Sequence, residues 1–163
     1  KTKNHLLEKY GNIINEDTCS IHVRRGDYLG LPNHHPTQSI EYYQQAIKLI
    51  GEDKHYMIFS DDIKWCEENF EFLNNKTFIS GNQDYEDLYL MSMCKNNIIA
   101  NSTFSWWAAM LCHNESAPVI APTPWFKDME EPNLLIPPEW IRLVAYYNNY
   151  FGKILMVQIP MYV

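Results

Sequence analysis

The stretch Thr18-Cys19-Ser20-Ile21-His22-Val23-Arg24-Arg25-Gly26-Asp27-Tyr28 decides how the chain is read. Thr18 to Val23 is an apolar, extended run, a polar loop with glycine and proline follows through Pro36, and a helical pattern then runs from Ser39 to Ile50. If the strand continues through Arg24, its alternation puts His22 and Arg24 on one face and Val23 and Arg25 on the other. The two arginines then have separate tasks, one meeting a ligand and the other held inside. An arginine suits a phosphate because its planar fork donates two parallel hydrogen bonds and stays charged at working pH. Gly26 allows a sharp backbone turn beside it.

Outward from this stretch the pattern repeats. Tyr56 to Phe59 reads as a second strand, with Asp61 or Asp62 placed to cap a helix through Trp65 to Phe70. Thr77 to Ile79 gives a third strand, Asp84 a cap for a helix to about Cys94, and Asn97 to Ala100 a fourth strand. A helix from about Thr103 carries Trp106, Trp107 and Leu111, a fifth strand spans Pro118 to Ala121, and the prolines from Pro122 to Pro138 predict irregular chain. Strands alternating with helices predict an α/β fold: a doubly wound parallel sheet, Rossmann-like and of the nucleotide-binding kind. Ligands of such sheets lie beyond the carboxyl ends of the strands, so the loops after Val23, Ser60 and Ala100 should share one edge.

Those loops hold the candidate site residues. Asn101-Ser102-Thr103-Phe104-Ser105 turns a strand end into a helix, where hydroxyls and free backbone amides favour an anion and the helix dipole assists. Simple N-capping by Ser102 or Thr103 uses the same residues. Asp61, Asp62 and Asp87 are carboxylates that could accept the paired donors of a guanine edge. Each acid, and the Arg25-Asp27 pair, has an ordinary structural reading as an ion pair or cap. Trp106 and Trp107 read as core. Arg25-Gly26-Asp27 is also the tripeptide that adhesion receptors recognise, but it directly follows a strand expected to be buried.

Composition narrows the function. The 163 residues, 46% of them hydrophobic, suffice for one domain with an ordinary core. A net charge of −7 argues against a nonspecific nucleic-acid binder, so any anion must be held locally. Cys19, Cys66, Cys94 and Cys112 lack zinc spacing and read as reduced core thiols, and adjacent His34 and His35 do not suggest a shared metal, so no metal is expected. No run approaches the roughly 20 apolar residues of a membrane span, and no signal-peptide core follows Lys1. The sequons at Asn75, Asn101 and Asn114 carry little weight, the pattern being common by chance.

Taken together, His22 to Asp27 resembles the His-x-Arg-Arg-x-Asp motif of GDP-fucose-dependent fucosyltransferases. Phe59 to Asp62 with Trp65, and the run Asn101 to Trp107, are similar to the galactoside α-1,2 branch, with similarity from about Cys19 to Leu143. The resemblance implies the GDP-fucose-binding part, residues 1–145, of a GT-B-like glycosyltransferase, with a tail at 146–163 whose apolar Ile154 to Val157 is an added strand or an extension. It implies inverting, metal-independent transfer from GDP-β-L-fucose to a galactose-terminated glycan, with no cofactor, while the charge balance and hydropathy above add the expectation of no nucleic acid and no membrane contact from this segment. By that analogy Arg24 contacts the β-phosphate, His22, Arg25 and Ser102 to Ser105 add donor contacts, Asp87 lies near the guanine, and Asp61 or Asp62 orders the site. For a general base, Asp27, His34 and His35 are candidates by proximity, since Leu29 to His35 holds no carboxylate. Relatives carry a longer portion before the motif, which contributes to acceptor binding, so a noncatalytic nucleotide- or glycan-binding module is the rival reading, as is a different acceptor. A bacterial enzyme in the cytoplasm or peripheral at its membrane is expected, or a Golgi one if eukaryotic.

Overall fold

The structure, a computed structural model, describes residues 2–15, 17–112, 117–144 and 157–158. Six parallel strands and a short antiparallel one form a single sheet in the order β3-β2-β1-β4-β5-β6-β7. In chain order these are β1 (Thr18–Val23), β2 (His55–Ser60), β3 (Lys76–Ile79), β4 (Asn96–Ile98), β5 (Val119–Thr123), β6 (Ile141–Val144) and β7 (Val157–Gln158). The helices are α1 (Thr2–Tyr10), α2 (Ile40–Ile50), α3 (Ile63–Asn69), α4 (Asp84–Met93) and α5 (Thr103–Met110).

Every residue of β1 is buried, because the strand is paired on both edges, to β2 and to β4, and covered on both faces. Cys19, Ile21 and Val23 pack with Tyr42, Tyr43 and Ile47 of α2 and with Cys66 and Phe70 around α3. On the opposite face Met57 and Phe59 of β2 meet Leu90 and Met91 of α4, Leu6 of α1 and Ala108 of α5. A third cluster joins Ile99, Val119 and Ala121 to Trp125 and Trp140. The chain runs outward from β1 through β2 to β3, then crosses back to place β4 on the other side of β1. The switch between β1 and β4 opens a crevice above the carboxyl ends of the central strands.

Local signals explain several boundaries. Ser39 begins α2 by accepting the Tyr42 N–H at 3.4 Å, and of the two aspartates offered for α3, Asp62 is the cap, accepting the Trp65 N–H at 3.2 Å. Other expectations need correction. Gln83, not Asp84, precedes α4, and Glu86 Oε2 reaches back to its backbone N–H at 2.9 Å, placing Asp84 one residue inside the helix. Pro122 lies within β5, and the proline-rich stretch is followed by β6, which sequence periodicity did not expose. That strand has only four residues, with Arg142 at its centre paired to Glu131 at 2.7 Å.

The helix α1 was also absent from the sequence reading: it buries only Leu6 and Tyr10, one turn apart, so it shows little periodic signal. Trp106 is core as expected, donating its indole N–H to the Leu135 carbonyl at 2.7 Å, whereas Trp107 is 53% exposed on the outer side of α5. All four cysteines are unbridged, Cys112 being the one that is only partly buried. Asn101 is buried, which removes its sequon from consideration, Asn75 is exposed, and Asn114 lies outside the described residues. Of the tail, Val157 and Gln158 pair with β6, and its other residues, Ile154 to Met156 among them, also lie outside the described set.

Phe70 is fully buried between α2 and α3, while Phe72 is 43% exposed. Phe70→Ala is expected to destabilise the fold by about 3–5 kcal/mol in urea unfolding, and Phe72→Ala by well under half of that.

Candidate active site

A cavity of about 560 Å³ occupies this crevice. Of the residues singled out from sequence, His22, Arg24, Asp27, Asp61, Asp87, Ser102, Thr103 and Phe104 line it. They come from the ends of β1, β2 and β4 and from α4, so the three loops expected to share one edge do so. Arg25, Asp62 and Ser105 do not line it.

The arginines divide their tasks as alternation requires, although β1 ends at Val23 and Arg24 is already in the loop. Arg24 faces the cavity. Its Nε and Nη2 contact Asp27 Oδ1 at 3.0 and 2.9 Å, and its Nε is 3.2 Å from Asp61 Oδ2. Nη1 has no hydrogen bond among the described residues and stays available to a ligand. Arg25 turns to the other face, where Nε meets Asp62 Oδ2 at 3.2 Å and the guanidinium lies 4.1 Å from the centre of the Trp65 ring. The ion pairs are thus Arg24 with Asp27 and Asp61, and Arg25 with Asp62, rather than Arg25 with Asp27. With Arg25 held against Trp65, the adhesion tripeptide is not presented as a free loop.

Asp61 does more than pair with Arg24. It accepts the backbone N–H of Arg25 at 3.0 Å, and a Cβ at Gly26 would come 2.5 Å from its Oδ2. A side chain at position 26 would therefore displace this carboxylate from Arg24 and the Arg25 N–H, a reason for glycine beyond the turn itself.

At the head of α5, Ser102 holds the N-cap position but its hydroxyl does not cap the helix. The first helical hydrogen bond is Trp106 N–H to the Ser102 carbonyl at 3.0 Å, so the amides of Thr103, Phe104 and Ser105 precede it, as at any helix start. The Ser105 hydroxyl bonds the Ala100 and Ser102 carbonyls instead of facing the cavity. Asn101, buried beneath this turn, accepts from Gln38 Nε2 at 2.7 Å and donates to the Trp125 carbonyl at 3.0 Å, tying the loops after β1, β4 and β5 together.

Charge states follow from burial. Desolvation, with Arg24 adding to it, pushes His22 down to about 3, so its ring is neutral; its Nδ1 is buried without a partner and the ring tilts against Phe104 at 5.5 Å. Desolvation raises Asp87, with Asp84 and Glu86 contributing, against the opposing hydrogen bond from Asn82 at 2.8 Å. Tyr28 is also raised by burial, and its hydroxyl donates to the Asn101 carbonyl at 2.9 Å.

The structure separates the two adjacent histidines. His35 lines the cavity and stacks on Tyr28 at 4.6 Å, whereas His34 Nδ1 lies 2.6 Å from Asp128 Oδ1, off the cavity wall. Sequence reading had not singled out Tyr28, Trp125 or Phe126 as site residues, and they complete the wall. Among the described residues no three His, Cys, Asp or Glu side chains are grouped as a metal site requires, and no helix is long and apolar enough to cross a membrane.

Residues 2–144 match the sequence profile of Glycosyl transferase family 11, and the chain belongs to that family. It is 39% identical over 139 residues to an alpha-1,2-colitosyltransferase of Escherichia coli, covering 78% of this chain and 48% of that protein. It is 30% identical over 138 residues to mouse galactoside alpha-(1,2)-fucosyltransferase 1, covering 77% of this chain and 37% of that protein. The chain therefore spans about half the length, or less, of the curated relatives it matches. In fold it is similar to POFUT1 crystallised in complex with GDP, with a TM-score of 0.53 at 14% identity, over 74% of this chain and 45% of that one.

His22 supplies a test of the buried neutral imidazole. Its folded-state pKa is about 3, below the ordinary 6.5, so below pH 6.5 the unfolded chain takes up a proton that the folded chain refuses. That group's contribution is full above pH 6.5 and falls by up to about 1.4 kcal/mol per pH unit as pH drops towards 3. Between pH 7 and 5, His22→Asn is expected to lose roughly 2 kcal/mol less stability than the parent in urea unfolding.

Proposed function

We propose that this chain is the donor-binding part of an inverting, metal-independent transferase that moves L-fucose from GDP-β-L-fucose to the 2-hydroxyl of a terminal β-galactoside. The carrying observation is Arg24, a cation with an open Nη1, held in a cavity beside the first amides of α5. A diphosphate fits this pairing, with Arg24 on the β-phosphate and the Ser102 to Phe104 turn supplying further donors. His22 adds a neutral hydrogen-bonding ring beside them, and Asp87 accepts the two donors of the guanine edge. Guanine binding would favour the ionised form of Asp87, offsetting the effect of its burial.

Catalysis then follows from where charge develops. As the acceptor oxygen forms its bond to the anomeric carbon, the bond to the phosphate oxygen breaks and its electron pair passes to departing GDP. Arg24 and the helix amides stabilise that growing charge without having to reorganise. Asp27 and Asp61 fix the guanidinium from two sides, so they serve Arg24 as positioning groups. Asp27 remains a candidate base, because its Oδ2 has no hydrogen bond among the described residues. Arg25 and Asp62 act through the frame, by anchoring the loop, and Ser105 by bracing the turn. With relatives in both Escherichia coli and mouse, the proposed site of action is the cytoplasm or the cytoplasmic membrane face of a bacterium, or the Golgi membrane if the chain is eukaryotic.

Calorimetric titration in EDTA is expected to show saturable GDP binding, no binding of UDP, and affinity at least tenfold weaker in Arg24→Ala. In turnover, loss of this donor should cost about 10²- to 10³-fold in rate. A folded chain that ignores GDP, or an Arg24→Ala variant that binds it unchanged, would overturn the assignment.

A further inference from the structure

The sheet order arranges the crevice from end to end. Strand order β3-β2-β1-β4-β5 places the loops in the sequence Asp84 and Asp87 after β3, Asp61 after β2, Arg24 after β1, Ser102 after β4, and Trp125 and Phe126 after β5. One flank is acidic, the centre carries the Arg24 guanidinium between Asp27 and Asp61, and the far flank is aromatic. With the nucleoside at the acidic flank and the diphosphate at the centre, the transferred sugar and whatever accepts it must extend towards the aromatic flank.

That flank is a ladder of rings leading away from Arg24. The guanidinium lies 5.6 Å from the centre of Tyr28, Tyr28 stacks on His35 at 4.6 Å with planes 14° apart, and His35 lies 5.6 Å from Phe126. On the donor assignment above, Tyr28, against Arg24, would border the sugar joined to the phosphate, and His35 and Phe126, one ring further, would face the incoming hydroxyl. Burial, with His34 adding to it, holds His35 below the usual imidazole range, so the ring is uncharged at neutral pH. Its Nδ1 is buried without a partner and its Nε2 has none within the described residues, leaving Nε2 as the nitrogen that can meet a ligand. The two loops are joined behind this wall by the contact of His34 with Asp128 and by Lys127 N–H to the His34 carbonyl at 3.2 Å.

Resting on the donor assignment above, we propose that His35 and Phe126 form the subsite for the acceptor sugar. Phe126 packs against the apolar C–H face of a pyranose ring, and His35 Nε2 hydrogen-bonds one of its hydroxyls. The pairing of a flat apolar ring with one neutral hydrogen-bonding group suits an uncharged hexopyranoside such as a terminal β-galactoside. In this role His34 and Asp128 are positioning residues, because they fix the loop that carries His35.

The test is saturation-transfer NMR of lactose with the chain in the presence of GDP, for the parent, Phe126→Ala, His35→Ala and the conservative Phe126→Tyr, with GDP and GDP-fucose affinities measured in parallel. Lactose signals on the galactose ring are expected in the parent and in Phe126→Tyr, with affinity at least tenfold weaker in Phe126→Ala and His35→Ala. GDP affinity should stay within twofold throughout, which also shows that the variants fold. Lactose binding equal in all four proteins, or absent from the parent, overturns the subsite. So does weakening confined to GDP-fucose, which would assign the wall to the donor sugar. If the parent binds lactose through Phe126 and His35 but ignores GDP, the subsite stands and the donor assignment falls.

Discussion

Strand β1 is buried on both faces and both edges, and that constraint organises everything around it. A strand so enclosed cannot tolerate charge until it leaves the sheet, and this one leaves at Val23, immediately before two arginines. Because alternation persists for one more residue on each face, His22 and Arg24 turn to the crevice while Val23 joins the core and Arg25 turns to the α3 side. A one-residue slip would bury Arg24 against α2 and α3 and turn Arg25 to the ligand. Register is fixed by pairing to β2 through all six residues of β1 and to β4 through three, so the placement of a single cation depends on the whole centre of the sheet.

In a protein of net charge −7 the guanidinium that lines the cavity is itself held by carboxylates at short range. Asp27 and Asp61 contact Arg24 through Nε and Nη2, and they orient it without occupying Nη1. Asp61 is shared between the Arg24 side chain and the Arg25 backbone, so one carboxylate fixes both the direction of the cation and the path of the loop. Gly26 is the geometric consequence of that arrangement. His22 stays neutral beside Arg24, because adding a second positive charge there would require both desolvation and like-charge repulsion.

The doubly wound sheet was legible because its strands are continuous apolar runs separated by helices with ordinary caps, as at Ser39 and Asp62. That Arg24 and Arg25 turn to opposite sides was legible from period-two alternation, even though β1 itself ends at Val23. What stayed hidden had weak periodicity or depended on distant contacts. With one buried residue per turn, α1 has no stripe to read, and β6 is short, paired on its outer side to the two-residue β7, and preceded by prolines. Trp107 illustrates the limit of composition: two adjacent tryptophans on one helix point about 100° apart, so one can be core while its neighbour is exposed. The aromatic wall was hidden for a different reason, since Tyr28 and Phe126 are 98 positions apart in a numbering that carries no sign of their meeting.

That meeting follows from topology. Strands β1 and β5 are separated in sequence by three strands, yet only β4 intervenes between them in the sheet. Asn101, at the end of β4, fills the interval: Gln38 from the β1 side donates to its side chain, and its amide donates to the Trp125 carbonyl on the β5 side. A buried amide satisfied from both directions fixes the spacing of the two loops more sharply than packing alone, since moving either loop would leave a buried polar group unpaired. The same turn that offers backbone donors to an anion therefore also sets the distance between the cationic centre and the aromatic flank. Changes at Asn101 should accordingly disturb both ends of the crevice together, whereas changes at Phe126 act on one end alone.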